Sequence, residues 1–202
     1  MNQQGYRTAI VEFIRANAKP PDKFSHQARL YKLAAQLAES QKYDDEVLFG
    51  ATWMHDLGVF IGHRPESLSE LASWDHIGYA AKMVPGILNS CGFPTDKIPT
   101  VIEAIKTHLP SHEPATFEGI LLRDADILEQ LGVVGILRIV SKVGRDTRFL
   151  RFSDALAVLR NNAAELPAKL KLDSARRLAK RRLEISWQFL DAAEAEANHL
   201  EW

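Results

Sequence analysis

The chain has 202 residues, 46% of them hydrophobic and 25% charged, with 25 Lys and Arg against 26 Asp and Glu and a formal charge of −1. This is the make-up of one ordinary globular domain or two small ones, and it excludes disorder, collagen-like sequence and a small disulfide scaffold. The near-neutral balance lacks the basic footprint of a dedicated nucleic-acid binder, and the apolar run from Leu131 stops at Arg138, short of the ~18 residues that a membrane span needs. With a single cysteine, Cys91, and no convincing signal peptide, the expectation is a soluble, cytoplasmic protein.

Apolar residues recur at helical spacing through most of the chain. Leu30, Leu33 and Leu37 form one stripe, Ile98, Val101, Ile102 and Ile105 another, and Leu183, Trp187 and Leu190 a third. The spacing predicts helices over 5–17, 24–40, 44–57, 75–91, 96–109, 116–131, 133–143, 153–165 and 172–198, with Gly and Pro between them. Pro85 falls inside such a pattern and should kink or split its helix. No strand-like alternation, internal repeat or linker competes, so the expected class is all-α in a single domain over 1–202.

The informative residues are His and Asp where the pattern asks for a core residue. His26 precedes Leu30, Leu33 and Leu37 by four, seven and eleven residues and shares their stripe. His55 follows Leu48 by seven residues and Ala51 by four, Asp56 comes next, and Gly58 is placed to end the helix, so the pair sits in a last turn. His108 extends the Val101–Ile105 stripe to the stop at Leu109-Pro110, and Asp124 lies four after Ile120 and three before Ile127. Burying one such group without a partner costs about 2–7 kcal/mol, and several together call for a shared partner such as a metal ion. Taken singly, each is an ordinary core or surface residue. The set His26, His55-Asp56, His76, His108 and Asp124, spread over different predicted helices, carries the signal.

That ordered set, in the contexts SHQARLYKLA, ATWMHDLG, DHIGYAA, IEAIKTH and LLRDADILEQLGVVGILR, resembles the HD-domain superfamily of metal-dependent phosphohydrolases, and within it a bacterial branch of predicted hydrolases. The stretch ELPAKLKLDSARRLAKRRLEISWQFLDAAEAE is similar to that branch's C-terminal helices, so the likeness covers about residues 23 to 196. It implies an all-helical HD-type bundle with a ligand-bearing core at about 23–145 and C-terminal helices at about 150–198. It implies His26, His55, Asp56 and Asp124 as ligands of one metal, with His76 and His108 holding a second that Asp56 bridges. Asp126 matches an acidic residue beside the ligand. Many relatives continue the doublet with Gly-Lys, whereas this chain reads Gly58-Val59-Phe60 and lacks that phosphate-contacting lysine.

Imidazole and carboxylate donors suit one or two borderline or hard divalent ions: Mn, Fe, Ni, Co, Mg or Zn. Such an ion lowers the pKa of bound water from ~15.7 to about 7, and two ions ~3.5–4 Å apart clamp attacking and leaving oxygens. The developing phosphoryl charge needs fixed cations. Arg29, matching the family's His-x-x-Arg, comes first; Lys106 and Arg123 follow and otherwise read as solvated charges. Arg29, Asp56 and Lys106 are the expected catalytic residues, acting on a small phosphorylated, nucleotide-like substrate. Neither nucleic acid nor membrane is expected as a partner, and a homodimer is allowed. A di-iron oxygenase on the same fold, or a non-catalytic sensor, are the alternatives.

Other polar features read blandly. His63-Arg64 lies in a loop beside the doublet, His112 follows the His108 helix by one turn, and His199 falls outside the set. Cys91 reads as a packing residue. The basic run Lys169, Lys171, Arg176, Arg177, Lys180, Arg181 and Arg182 spreads round its helix as a solvated face. Trp187 and Phe189 beside it are core-spaced.

Overall fold

The structure is a computed structural model that describes residues 3–146 and 148–197. As the periodicity requires, it is all-α. The helices are α1 (Gln3–Asn17), α2 (Asp22–Leu37), α3 (Asp45–Met54), α4 (Leu68–Ala72), α5 (His76–Ser90), α6 (Ile98–Lys106), α7 (Phe117–Leu128), α8 (Gly132–Val140), α9 (Phe152–Glu165) and α10 (Asp173–Ala197). The chain forms two compact units, Met1–Arg123 and Asp124–Trp202, with the division inside α7. No helix among the described residues is long and apolar enough to cross a membrane.

In the first unit, α3 is the centre. Val47 through Met54 are all buried, which is what a helix apolar on every side demands. α1, α2, α5 and α6 pack round it. Gly50 lets α6 come close: a Cβ there would meet Val101 Cγ2 at 3.1 Å and the Phe93 ring at 3.2 Å. Burying side chains such as Leu30, Leu48, Met54 and Ile105 contributes about 1.5–3 kcal/mol each. The start of α3 is tied down by charge. Asp44 caps it, accepting from Glu46 N at 3.0 Å and Val47 N at 3.2 Å. Lys97 pairs with Asp44 at 2.7 Å and Glu46 at 2.6 Å, and Arg7 with Asp45 at 2.6 Å.

In the second unit, α8, α9 and α10 pack on one another round Ile139, Phe149, Ala155, Leu159 and Leu190. Trp187 and Phe189 lie against this core, as their spacing predicts. The first N–H of α8, on Gly132, donates to Ser186 Oγ at 2.9 Å and so is not left orphaned.

Three elements depart from the sequence reading. The helix expected over 44–57 ends at Met54, and Gly58 lies in a 3₁₀ turn, Leu57–Val59. α4 was not expected, since five residues are too few to show a period; Ser67 starts it by accepting from Glu70 N. Pro85 does not split α5, which runs unbroken from His76 to Ser90. Proline removes one donor from the ladder. Here the turn it disturbs is only half-buried, and Ala80, Val84 and Leu88 hold the helix on its inner face.

Candidate metal centre

Because α3 is buried from Val47 to Met54, its C-terminus delivers the next residues into the interior. His55 is the C-cap, its N–H bonded to Ala51 O at 3.0 Å. Asp56 then leaves the helical path at φ −91°, ψ 7°, the bridge region in which many active-site residues sit. The break matters, because consecutive helical side chains diverge by about 100° and would not share one target. His55 Nε2 comes to 3.5 Å from Asp56 Oδ1, and His26 Nε2, from the buried face of α2, to 3.8 Å from Asp56 Oδ2. His26, His55 and Asp56 offer ligand atoms within 4.8 Å of one another. The side chains of His26 and His55 are 2% and 1% exposed and that of Asp56 13%.

Two further imidazoles extend the cluster. The His108 ring lies 5.0 Å from that of His55, and the His76 ring 6.4 Å from that of His108. The outward nitrogens of two rings are fixed by backbone carbonyls at helix ends. His55 Nδ1 meets Thr52 O at 3.0 Å and His108 Nδ1 meets Ile105 O at 2.6 Å. A carbonyl only accepts, so each Nδ1 carries the hydrogen and each Nε2 keeps its lone pair for a ligand. His76 is held below its ordinary 6.5 mainly by burial, so it too favours the neutral, donating form. Gly58 makes its approach feasible. A Cβ on Gly58 would meet the backbone oxygen of His76 at 2.3 Å. Two imidazole nitrogens and a carboxylate fit a borderline or hard divalent cation and not a soft one.

The HD domain family model matches residues 24–131, more than half of the chain. The chain belongs to the HD-domain family. Among solved structures, Bacillus subtilis YpgQ is similar at 21% identity with a TM-score of 0.77, covering 100% of both chains. YpgQ in complex with ADP is similar at 22% identity and TM-score 0.73, over 96% of this chain and 100% of that one. A Bacillus thuringiensis HD-superfamily hydrolase shares 22% identity at TM-score 0.69, over 98% of each chain. These likenesses show the fold. No curated protein matches the chain in sequence.

Asp124 lies in the second unit, fully buried, where its Oδ2 accepts from Lys171 N at 2.9 Å and Leu172 N at 2.7 Å. Two backbone amides thus offset its burial without an ion, which weakens the argument that burial alone marks it as a ligand. Asp126 is half-buried in the same unit. Asp75, next to His76, spends its carboxylate capping α5, with Oδ1 accepting from Gly78 N at 2.8 Å, and is not an acid that orients a ring.

Among the cations, Arg29 is half-buried on α2 and donates to Ser25 Oγ at 3.1 Å, while Lys106 is exposed on α6. Arg123 is not a solvated charge: it is 1% exposed, and its Nη2 donates to Pro110 O at 3.1 Å in the loop that follows His108. The cation that the sequence reading missed is Lys23, whose Nζ lies 3.6 Å from Asp56 Oδ2. A signal for it existed, since Lys23 precedes His26 by three residues and shares its helix face.

Of the other histidines, His112 is exposed and His199 lies outside the described residues. His63 is a strut: Nδ1 meets Tyr79 OH at 3.0 Å and Nε2 meets Asn17 Oδ1 at 3.1 Å, joining α1 and α5 to the loop between. In the basic run of α10, Arg176, Arg177, Lys180 and Arg181 are exposed as expected, whereas Arg182 turns inward and donates to Leu128 O.

Proposed function

We propose that this chain is a metal-dependent phosphohydrolase that cleaves a phosphoester or phosphoanhydride of a small, nucleotide-like molecule. The observation that carries the reading is the convergence of His26, His55 and Asp56 within 4.8 Å. These three would hold a divalent ion, with His108 and His76 beside them for a second. When bound, such an ion supplies a hydroxide-like water at neutral pH and polarises a phosphoryl oxygen. The chain's own residues do the rest. Thr52 O and Ile105 O hold two rings in their metal-facing tautomers. The apolar wall round α3 excludes bulk water and strengthens every charge in the site. Arg29 would steady phosphoryl charge. The likeness to the Bacillus thuringiensis HD-superfamily hydrolase supports the reaction class, and the likeness to YpgQ in complex with ADP supports a nucleotide-like substrate.

The test is release of inorganic phosphate from ADP, other nucleoside phosphates and p-nitrophenyl phosphate, in the presence of Mn²⁺, Fe²⁺, Co²⁺, Ni²⁺, Mg²⁺ or Zn²⁺. Turnover should require a metal, and Asp56→Ala should lose bound metal and activity together. Full metal occupancy in Asp56→Ala overturns the ligand assignment. Iron-dependent consumption of dioxygen without phosphate release overturns the hydrolase reading in favour of an oxygenase.

A further inference from the structure

Lys23 stands one turn before His26 on α2, so the two side chains leave the helix on the same face. Its Nζ lies 3.6 Å from Asp56 Oδ2, the oxygen that also faces His26 Nε2 at 3.8 Å. The Lys23 side chain is 24% exposed, while the imidazoles of His26 and His55 are sealed at 2% and 1%. Of the four clustered side chains, that of Lys23 is the most accessible to water.

Two features argue against a pair that serves stability alone. Lys23 occupies the first turn of α2, the end at which the helix dipole disfavours a cation. Its partner Asp56 is also the carboxylate of the candidate metal group. An ion held there takes up the carboxylate's charge and leaves the ammonium beside a divalent cation, a repulsion that an anionic ligand relieves.

We propose that Lys23 is a further phosphate-contacting residue of this site, its ammonium donating to a non-bridging phosphoryl oxygen of the substrate. The assignment rests on the phosphohydrolase reading. It is tested by titrating the Mn²⁺-loaded protein with inorganic phosphate by calorimetry, alongside Lys23→Gln and Lys23→Arg, with bound Mn²⁺ and thermal midpoint measured for each. Loss of one charge-assisted hydrogen bond should raise the phosphate Kd about 10- to 100-fold in Lys23→Gln. Lys23→Arg should recover most of that loss, and Mn²⁺ content should stay the same in all three. A merely structural lysine would move the thermal midpoint and leave phosphate affinity unchanged. Equal phosphate binding by Lys23→Gln and the unaltered protein overturns the assignment and leaves the phosphohydrolase reading standing. No phosphate binding by the unaltered Mn²⁺-loaded protein overturns both.

Discussion

His55 and Asp56 act together because the helix stops between them, so the chemistry of the doublet depends on backbone geometry as much as on residue type. The four imidazoles form a chain, His26 to His55 at 5.6 Å, on to His108 at 5.0 Å and to His76 at 6.4 Å. If His76 and His108 serve a second ion, metal analysis of the intact protein should give about two ions per chain, falling to about one in the His76→Ala, His108→Ala double variant. One ion in both, with activity retained, would remove the second site. Arg29 lies on the same helix as His26, its Nη1 donating to Ser25 Oγ at 3.1 Å. Its replacement by Ala should lower kcat/KM by about 10²–10³ at unchanged metal content, the scale set by loss of one oxyanion-stabilising donor. An unchanged rate would make it a surface charge.

At the scale of elements, the site depends on how closely the 3₁₀ turn approaches α5. Gly58→Ala drives a Cβ into the His76 backbone, which neither partner can yield as a flexible side chain would. We expect a loss of about 1–3 kcal/mol in urea unfolding, as for other overpacked sites, together with displacement of His76. Wild-type stability in Gly58→Ala would show that the turn relaxes freely. The His63 strut has its own signature. Burial pushes His63 below its ordinary 6.5, so the folded form binds fewer protons than the unfolded chain as the pH drops past that value. Stability from this group is therefore complete above about pH 6.5 and is lost as pH falls through the folded pKa. His63→Gln, which keeps hydrogen-bonding groups but does not titrate, should show a smaller decline in thermal midpoint between pH 8 and 5.5 than the unaltered protein. Parallel declines would place the proton uptake elsewhere.

Over the whole molecule, acid stability should rest on carboxylates in both units. Glu46 is held below the carboxylate range chiefly by its Lys97 hydrogen bond; at Asp44 desolvation acts upward, and the Lys97 ammonium together with the Val47 and Glu46 amides outweighs it. Asp146, in the second unit, is pulled down to about 2, chiefly by the Arg148 hydrogen bonds at 3.0 and 2.8 Å. Each folded pKa lies below its unfolded value, so this stability is present above about pH 4.5 and disappears as the pH falls toward 2. Lys97→Met should remove the first unit's share, and a fluorescence-monitored acid titration should then show its transition at higher pH. An unmoved transition would show that the charges at the start of α3 contribute nothing.

The helical class, the positions of most helices and the polar residues on their inner faces were legible in the amino-acid sequence, because a period of 3.6 and the cost of burying an imidazole are local properties. His26 on the stripe of Leu30, Leu33 and Leu37 is the clearest case, and it is indeed 2% exposed. What the sequence could not decide was which of these residues meet, and where a predicted helix gives way. The turn at Asp56 that lets the doublet converge is set by what α3 packs against and by how near α5 comes to Gly58. Pro85 inside α5, the burial of Arg123 and the amides that satisfy Asp124 likewise depend on neighbours distant in the chain. Lys23 shows the division most sharply: its helix face follows from its spacing to His26, but its pairing with Asp56 exists only because α2 and α3 pack together. Periodicity assigns a side chain to a face, and only packing assigns that face a partner.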